Sequence, residues 1–322
     1  MRKIVIPDDF PPMITGSRYL EYIKPYGEVI VYNTKAEHNE ELIKRCEGAW
    51  ALINVRAFTK FTGELLDHLP DLKIISILGT GTDHVDLKSA TEHEIVVTNT
   101  PVASTISVAE HTFALILACA LHLAAGDRKL RQGEWYHREG YELGGKTLGL
   151  IGLGFIAQHV AKLGQGFGMK VVGWSRTRDE ERALRCNIHL VEIDELLALS
   201  DVVSLHLRLT EETEHIIGER EFSLMHPHTI LVNTARGKLI DERALINALR
   251  ERKIAAAGLD VFEQEPLTPD HSLLAFDNVV LTPHVGWITY EATDRLIKMP
   301  VDNIINFYSG NPTNVVNPEV LT

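Results

Sequence analysis

Runs of aliphatic and β-branched residues alternate with amphipathic stretches along this 322-residue chain. The runs form two series, one over residues 3 to 99 and one over residues 147 to 282. Strands that alternate with helices in this way are typical of parallel sheets covered by helices on both faces. We therefore predict strands at Lys3–Pro7, Val29–Tyr32, Ala51–Val55, Leu72–Leu78, Ile95–Thr98, Thr147–Leu153, Lys170–Trp174, Val202–Leu207, Thr229–Thr234, Ala256–Val261 and Val279–Thr282.

Three helix candidates decide the domain organisation. Gln158–Phe167 follows the first strand of the second series, the apolar segment Ser104–Ala125 joins the two series, and Tyr290–Tyr308 follows the last strand. A chain of this length is expected to form two domains. If the last helix packs on the first sheet, the second domain is an insertion, with the ligand cleft expected between the domains at the carboxyl ends of the strands.

Charge and hydropathy limit the partners of the chain. Thirty-two Lys and Arg against 44 Asp and Glu give a formal charge of −12, which opposes binding to nucleic acid and anionic membranes. The most apolar run, Phe113–Leu121, is much shorter than the ~20 residues that cross a bilayer. The first strand begins at Lys3 without a signal-peptide pattern. We predict a cytoplasmic protein with a small-molecule substrate, no nucleic acid and no membrane.

The cysteines show neither a disulfide framework nor a zinc-site pattern. Cys46, Cys119 and Cys186 are odd in number and far apart, and no CxxC spacing occurs. We therefore expect inert thiols in a reducing compartment and no metal.

The clearest local motif is Gly152-Leu153-Gly154-Phe155-Ile156-Ala157, which matches G-x-G-x-x-G/A at the end of a predicted strand. Gly152 allows a tight turn, Gly154 lets the backbone approach a pyrophosphate, and Ala157 lets helix and strand pack closely. The motif favours dinucleotide binding over a merely tight strand-to-helix turn, because a further strand follows at the expected distance.

This motif predicts that the second domain is a Rossmann nucleotide domain. We expect it to be inserted in a flavodoxin-like substrate domain. Both are α/β domains with a doubly wound parallel sheet. The predicted boundaries are 1–100 and 289–322 for the discontinuous substrate domain and 101–288 for the dinucleotide-binding domain.

Three residues with reactive side chains follow predicted strands of the second series. Arg236, Glu265 and His284 are separated by 29 and 19 residues along the chain. A guanidinium can bind a carboxylate through two hydrogen bonds, and a histidine can exchange a proton near neutral pH. Each alone is more often structural than catalytic, and for Arg236 the alternative is a surface ion pair. Together they predict an active site, since the carboxyl ends of parallel strands meet at one sheet edge.

Four motifs follow one another in a characteristic order: Gly145–Gly149 before the glycine turn, Asn233–Gly237, Asp260–Phe262 with Glu265-Pro266, and Thr282–His284. In this order the sequence resembles the D-isomer-specific 2-hydroxyacid dehydrogenase family, which includes phosphoglycerate dehydrogenases and glyoxylate/hydroxypyruvate reductases. The resemblance covers roughly Gly48 to Gly310. It implies an NAD(P)-dependent oxidoreductase that interconverts a small 2-keto acid and its D-2-hydroxy acid.

The resemblance also implies residue roles, with Arg236, Glu265 and His284 as the catalytic residues. Backbone groups of Leu78–Gly81 and of the Asn54–Arg56 loop are expected to meet the substrate carboxylate. The predicted substrate-binding residues are Arg56, Leu78, Gly79, Thr80 and Trp287. The predicted cofactor-binding residues are Val108, Gly152, Gly154, Phe155, Ile156, Ser175, Arg176, Thr177, His206, Arg208, Thr213, Thr234, Ala235 and Asp260.

The expected chemistry agrees with these residue types. During reduction, hydride from the nicotinamide reaches the keto carbon while His284, as an imidazolium, donates a proton to the nascent alkoxide. Glu265 fixes the tautomer and favours the charged imidazole. Arg236 binds the carboxylate and polarises the keto oxygen.

Three positions depart from the family pattern or carry two interpretations. Ser175-Arg176-Thr177 stands where many members have an acidic residue. The cofactor is therefore NAD or NADP, and the missing carboxylate favours NADPH. Arg208 either reaches a cofactor phosphate or lies in a solvated loop. Trp287 either lines the substrate pocket or packs between the domains.

Other functions stay open beside a glyoxylate/hydroxypyruvate reductase. One is a D-3-phosphoglycerate dehydrogenase, for which Arg56 and Lys60 are the obvious phosphate ligands. Another is a nucleotide-sensing protein similar to the C-terminal-binding corepressors, which the same fold allows. A homodimer is expected, because Ser104–Ala125 is more apolar than one domain face requires and the family commonly pairs through its nucleotide domains.

Overall fold

The computed structural model describes residues 2–55, 57 and 59–321. The chain divides into two compact units. The discontinuous unit combines Met1–Ser104 with Thr289–Thr322, and the inserted unit is Thr105–Ile288, all of whose residues are described. Arg56, one of the predicted substrate residues, lies outside the described residues.

The described part of the discontinuous unit contains a parallel five-stranded sheet. Its strands are β1 (Lys3–Ile6), β2 (Glu28–Val31), β3 (Ala51–Asn54), β4 (Ile74–Ile77) and β5 (Val96–Thr98). Its first helices are α1 (Tyr19–Ile23), α2 (Asn39–Cys46), α3 (Gly63–Leu66) and α4 (Leu87–Glu92). The strand order β2-β1-β3-β4-β5 is the flavodoxin-like order, so this part of the predicted fold class is confirmed.

The inserted unit contains a parallel seven-stranded sheet between two layers of helices. Its helices are α5 (Thr105–Ala120), α6 (Leu123–Arg131), α7 (Phe155–Gly166), α8 (Glu180–Arg185), α9 (Ile193–Leu199), α10 (Glu219–Leu224) and α11 (Glu242–Arg250). Its strands are β6 (Thr147–Ile151), β7 (Lys170–Trp174), β8 (His189–Leu190), β9 (Val202–Leu205), β10 (Ile230–Asn233), β11 (Ala256–Leu259) and β12 (Val279–Leu281). The order β12-β11-β10-β9-β6-β7-β8 reverses between β6 and β9, which is the switch point where doubly wound sheets bind ligands.

The last helix, α12 (Tyr290–Tyr308), completes the discontinuous unit. It packs on β3 and β4, and Ser76 Oγ in β4 donates a hydrogen bond to the Pro300 carbonyl of this helix over 3.1 Å. Because the chain returns to its first sheet after Ile288, the seven-stranded unit is an insertion, as predicted.

Several predicted elements have different ends in the structure. The strand predicted as Thr147–Leu153 ends at Ile151, because the glycine turn begins at the next residue. The helix predicted as Gln158–Phe167 begins at Phe155, directly after its N-cap. The two-residue strand β8 was not predicted, since so short a segment carries no periodic pattern.

The segment predicted as one helix, Ser104–Ala125, is two helices. α5 ends at Ala120, and His122 takes a left-handed conformation with φ = 53° before α6 begins. The N–H of Tyr141 donates to the Ala120 carbonyl over 2.9 Å. Since this partner lies about twenty residues further along the chain, the local pattern did not reveal the break.

Among the described residues, no single helix is long and apolar enough to cross a membrane. Only α5 and α6 together meet that test, and they are bent by 63° at their junction. α5 has ten buried residues out of sixteen and packs against α7, β10 and β11. These contacts explain why the helix is so apolar.

Candidate active site

The glycine motif forms the turn between β6 and α7. Gly152 has φ = +95°, in the left-handed region that other residues rarely adopt. A Cβ at Gly152 would also lie 2.5 Å from the carbonyl oxygen of His206, just after β9. This turn therefore requires glycine for its conformation and for the close approach of two backbone segments.

The N-terminus of α7 has the properties of an anion site. Gly154 is the N-cap, and within this fully described unit no side chain caps the helix. A Cβ at Gly154 would meet no atom within 4 Å, so space is open in front of the first N–H groups of α7. Phe155 is exposed beside this space, and Ala157 is fully buried one turn later. These features fit the pyrophosphate of a dinucleotide.

Ser175, Arg176 and Thr177 follow β7, where a dinucleotide's adenosine ribose would lie. Ser175 Oγ donates to the Thr177 carbonyl over 2.7 Å. Arg176 forms an ion pair with Glu212, from the loop after β9. The sequence analysis missed Glu212, because nothing local links it to β7. This end of the site thus has a neutral hydroxyl at position 175 and a cation with one carboxylate partner.

The loop after β9 contains three predicted cofactor residues. His206 Nε2 lies 2.9 Å from Ser204 Oγ, and burial lowers the pKa of His206 to about 3, so the ring is neutral. Thr213 is buried, and its hydroxyl donates to the Arg208 carbonyl over 2.7 Å. Thr213 therefore shapes the loop, whereas the Arg208 side chain is exposed to solvent. Contacts of these residues with a cofactor stay predictions.

Glu265 and His284 form a direct hydrogen bond. The distance from His284 Nδ1 to Glu265 Oε2 is 2.7 Å. Because the ionised carboxylate only accepts, the proton in this bond belongs to Nδ1. Nε2 is therefore the ring atom that can carry a transferable proton. The two side chains are 36% and 37% exposed, so a small ligand can reach them.

Glu265 is held in its ionised form. Burial raises the pKa of Glu265, but the hydrogen bond and charge of His284, the N–H of Phe262 at 3.0 Å and the positive charge of Arg236 together lower it below its usual value. An ionised Glu265 stabilises a protonated imidazole. The effect of Arg236 on this carboxylate also shows that the structure brings the three predicted catalytic residues together.

The turn after β10 positions Arg236. Asn233 at the end of β10 accepts the N–H of Ala235 over 3.0 Å and donates to the Arg236 carbonyl over 2.8 Å. A Cβ at Gly237 would lie 1.9 Å from the backbone of Phe262, so glycine is required where the two loops pass each other. This contact ties the loop that carries Arg236 to the loop that carries Glu265.

The backbone of His284 is left-handed, with φ = 54°. This conformation is uncommon outside glycine and persists only where surrounding contacts hold it. The N–H of His284 donates to the carbonyls of Asp260 and Thr282 over 2.8 and 3.0 Å. Its carbonyl accepts a hydrogen bond from Trp287 Nε1 over 3.1 Å. Trp287, a predicted substrate residue, thus fixes the backbone of the predicted catalytic histidine.

Asp260 is the buried centre of the same loop. Its carboxylate accepts the N–H groups of Val285 and Gly286, each over 2.9 Å, and the hydroxyl of Thr282 over 2.5 Å. Burial raises the pKa of Asp260, but hydrogen bonds from His111, Thr282 and the two N–H groups together lower it below its usual value. Asp260 is therefore ionised although nearly inaccessible.

Val108 and Thr234, two predicted cofactor residues, are linked through Thr112. The Thr112 hydroxyl donates to the Val108 carbonyl over 2.7 Å and lies 2.8 Å from Thr234 Oγ1. The start of α5 and the end of β10 therefore form one surface of the inserted unit.

In the predicted substrate loop of the discontinuous unit, some backbone N–H groups already donate hydrogen bonds within the protein. The N–H of Leu78 donates to the Asn54 carbonyl, and that of Gly79 donates to Thr100 Oγ1, each over 2.8 Å. These two groups are already hydrogen-bonded, so they are not available to a substrate carboxylate. The prediction for this loop therefore rests on Thr80 and Gly81.

The inserted unit matches a family model described as the NAD-binding domain of D-isomer specific 2-hydroxyacid dehydrogenases, over residues 113–286. This chain belongs to that family. The predicted family is confirmed, and this dehydrogenase is an NAD(P)-dependent oxidoreductase. A glyoxylate reductase from Thermococcus litoralis is 42% identical to it in an alignment of 314 positions that covers 94% of each chain.

Other relatives of this dehydrogenase bear on its substrate and cofactor. A D-3-phosphoglycerate dehydrogenase from Archaeoglobus fulgidus is 40% identical over 301 residues, which are 92% of this chain and 57% of that protein. An NADPH-dependent glyoxylate/hydroxypyruvate reductase from Sinorhizobium meliloti, solved with NADP and malonate, is 29% identical. It superposes with a TM-score of 0.87 over 99% of this chain and 97% of that one.

The loop after β12, residues 282–287, carries the predicted catalytic histidine and is called the catalytic loop below. The sequence analysis missed two residues near this loop. His111 and Thr112 contact the predicted site residues Asp260 and Thr234, although the sequence analysis named only Val108 from their helix. A signal was present, because Glu110-His111-Thr112 is a polar interruption in an otherwise apolar segment.

Proposed function

We propose that this dehydrogenase reduces a small, unphosphorylated 2-keto acid, such as glyoxylate or hydroxypyruvate, to the D-2-hydroxy acid. The observation that carries this proposal is the Glu265–His284 hydrogen bond, with Arg236 close enough to act on the same carboxylate. A proton carrier, a carboxylate that stabilises it and a guanidinium that can bind a second carboxylate meet the needs of keto-acid reduction. The names of the glyoxylate reductase relatives support the choice of substrates.

Bound NAD(P)H supplies the hydride for the keto carbon. Arg236 binds the substrate carboxylate through its planar guanidinium and orients the keto oxygen toward His284. His284 donates the proton on Nε2 to that oxygen, and Glu265 stabilises the imidazolium until the transfer. The glycine turn and the N-terminus of α7 would hold the pyrophosphate, and Val108, Thr234 and Asp260 would be further cofactor neighbours.

Steady-state kinetics with a panel of keto acids tests this function. We expect faster turnover with glyoxylate and hydroxypyruvate than with phenylpyruvate, and D-glycerate as the product from hydroxypyruvate. Including 3-phosphohydroxypyruvate tests the phosphoglycerate dehydrogenase alternative, which the Archaeoglobus relative supports. Tight cofactor binding without turnover on any acid would instead favour the nucleotide-sensing alternative.

We also propose that the protein prefers NADPH over NADH. Position 175 lacks the carboxylate that repels the extra phosphate of NADP, and Arg176 and Arg178 place cations beside it. Their carboxylate partners are Glu212 for Arg176, and Glu180 and Glu192 for Arg178. All five side chains are exposed, so the arginines can turn to a bound phosphate with little cost in burial.

Replacing Ser175 with Asp should reverse this preference. Two negative charges about 5 Å apart repel by about 3 kcal/mol at an effective dielectric constant of about 20. Because solvent screens part of this repulsion, we expect the NADPH-to-NADH ratio of kcat/KM to fall roughly 10- to 100-fold. Ser175→Asn is the control, because asparagine has nearly the same shape as aspartate but no charge. It should change the ratio little. A wild-type enzyme that prefers NADH would refute the proposed preference.

A homodimer is proposed as the assembly of this dehydrogenase, but the structure changes the reason for it. The apolar character of α5 is explained by its contacts inside the inserted unit. Large apolar side chains are instead exposed in α6 and on either side of it along the chain, namely Leu121, Leu123, Leu130, Trp135 and Tyr141. A surface of this kind, rich in aliphatic and aromatic residues, is typical of a protein interface.

The double variant Leu123→Glu/Leu130→Glu should be monomeric. The two leucines are seven residues apart on one face of α6, and they are 55% and 57% exposed. Sedimentation velocity at micromolar concentration should show a dimer for the wild type and a monomer for this variant. Leu184→Glu is the matched control, because Leu184 is an 83% exposed leucine on α8. A monomeric wild type, or a variant that remains dimeric, would contradict the proposal for this surface.

We propose a cytoplasmic location, which the thiols support. Cys46, Cys119 and Cys186 are free thiols. Burial raises the pKa of both Cys46 and Cys119 to about 12, so these two resist oxidation through the thiolate. Such cysteines are typical of proteins in reducing compartments.

A further inference from the structure

His111 connects the apolar helix α5 to the catalytic loop. Its Nε2 lies 2.9 Å from Thr282 Oγ1 and 3.4 Å from Asp260 Oδ1. Because the Thr282 hydroxyl donates to Asp260, its oxygen accepts the N–H of His111. The side chain of His111 is only 21% exposed, so this bond is well shielded from water.

The contacts continue from His111 to His284. The Asp260 carboxylate accepts hydrogen bonds from the Thr282 hydroxyl and from the N–H groups of Val285 and Gly286, the two residues that follow His284. The Asp260 carbonyl also accepts the N–H of His284 itself. The left-handed backbone of His284 is therefore held from both sides by a single aspartate.

The His111 ring also lies against the backbone of this loop. A Cβ at Gly286 would be 3.1 Å from His111 Cδ2 and 3.0 Å from Asp260 Oδ2. The ring and the carboxylate thus enclose the loop at the residue where its N–H is bound. The Asp260 carboxylate therefore cannot shift without displacing the Thr282 hydroxyl or the His111 ring.

We propose that His111 is a positioning residue for the reaction, which acts through Thr282 and Asp260 to keep His284 in its left-handed conformation. His111 does not touch the reacting atoms in this role. It supplies one N–H donor that fixes the Thr282 hydroxyl on the Asp260 carboxylate, and the carboxylate fixes the loop. This inference rests on the proposed function for its kinetic consequences only.

Three variants distinguish the effect of the His111 N–H donor from the effect of the volume of its ring. His111→Phe keeps the volume without the donor, His111→Gln restores an N–H near the position of Nε2, and Thr282→Val removes the bridging hydroxyl at nearly constant shape. His226→Phe is the matched control, because His226 lies in the same unit and its Nε2 bonds the Ala198 carbonyl. Its other contacts, a hydrogen bond to Thr229 and the stacked ring of His228, also lie outside the catalytic loop.

Displacing reacting groups by about 1 Å costs on the order of 100-fold in rate. We therefore expect kcat to fall roughly 10- to 100-fold in His111→Phe and in Thr282→Val, with a much smaller change in the KM for the keto acid. His111→Gln should recover most of the rate, and His226→Phe should behave like the wild type. Thr282→Val keeps the proposal testable if His111→Phe does not fold.

Hydrogen exchange of the native protein with NADP bound gives a readout independent of turnover. The N–H groups of Val285 and Gly286 should exchange faster in His111→Phe and Thr282→Val than in the wild type, but not in His111→Gln or His226→Phe. A panel without turnover in the wild type would overturn the proposed function and leave this exchange pattern as the test of His111. Unchanged exchange and kcat in His111→Phe, or no recovery in His111→Gln, would overturn the positioning role.

Discussion

Replacing His284 with alanine is expected to lower kcat by about 10²- to 10⁴-fold, the usual contribution of general acid–base catalysis. The imidazole bound to Glu265 through Nδ1 carries the transferable proton on Nε2, and alanine leaves the alkoxide without a donor. The cofactor surface formed by the glycine turn and α7 is on other elements, so NADPH should bind with nearly unchanged affinity. Steady-state kinetics and a fluorescence titration with NADPH measure the two effects.

His271→Ala is the matched control for this variant. His271 lies in the same unit and is also bonded to a glutamate, with 2.9 Å between its Nε2 and Glu242 Oε1. Losing that pair should leave kcat almost unchanged, since the His271 side chain bonds Glu242 at the start of α11 and contacts none of Arg236, Glu265 and His284. If His284→Ala kept nearly the wild-type kcat, His284 could not be the proton donor.

Replacing Arg236 with lysine should be nearly as severe, although the positive charge is kept. An ammonium cannot reproduce the planar fork that binds a carboxylate through two parallel hydrogen bonds. We expect kcat/KM for the keto acid to fall roughly 100-fold or more, because poor orientation alone can cost that much. Lysine keeps a positive charge near Glu265, so the pKa of Glu265 should change little. The pH below which activity is lost should therefore also change little.

Arg220→Lys tests whether any arginine of this unit would give the same result. Arg220 is a surface residue that pairs with Asp194 and Glu221. Exposed pairs of this kind contribute little to stability, so Arg220→Lys should match the wild type in kcat/KM and in melting temperature. Unchanged kinetics in Arg236→Lys would show that Arg236 is a structural residue and not a substrate ligand.

Much of the architecture followed from local pattern. Eleven strands were predicted and all are present, because a parallel sheet buried on both faces is built from short aliphatic runs that the sequence displays directly. The glycine turn was also predictable, since a left-handed φ at Gly152 and open space at Gly154 need residues without side chains. The order of the four motifs identified the family.

The end of α5 shows where local pattern was insufficient. The segment around His122 contains neither glycine nor proline at the break, and its helix is ended by a hydrogen bond from Tyr141. The pair of Arg176 with Glu212 is a similar case, because it joins two loops that only the strand order brings together. Such contacts depend on topology, which periodicity does not encode.

The sequence by itself determined the fold class and the family, and it named the candidate catalytic side chains. Only the tertiary structure decided how these side chains are held. Glu265 is bonded to Nδ1 of His284, whose backbone is left-handed, and the Asp260 carboxylate accepts the N–H of the next residue, Val285. The physical reason is that residue types carry the chemistry, while proton positions and pKa shifts depend on distances of about 3 Å between loops. His111 shows this best, since a partly buried histidine in an apolar helix has no visible partner until the sheet brings Thr282 beside it.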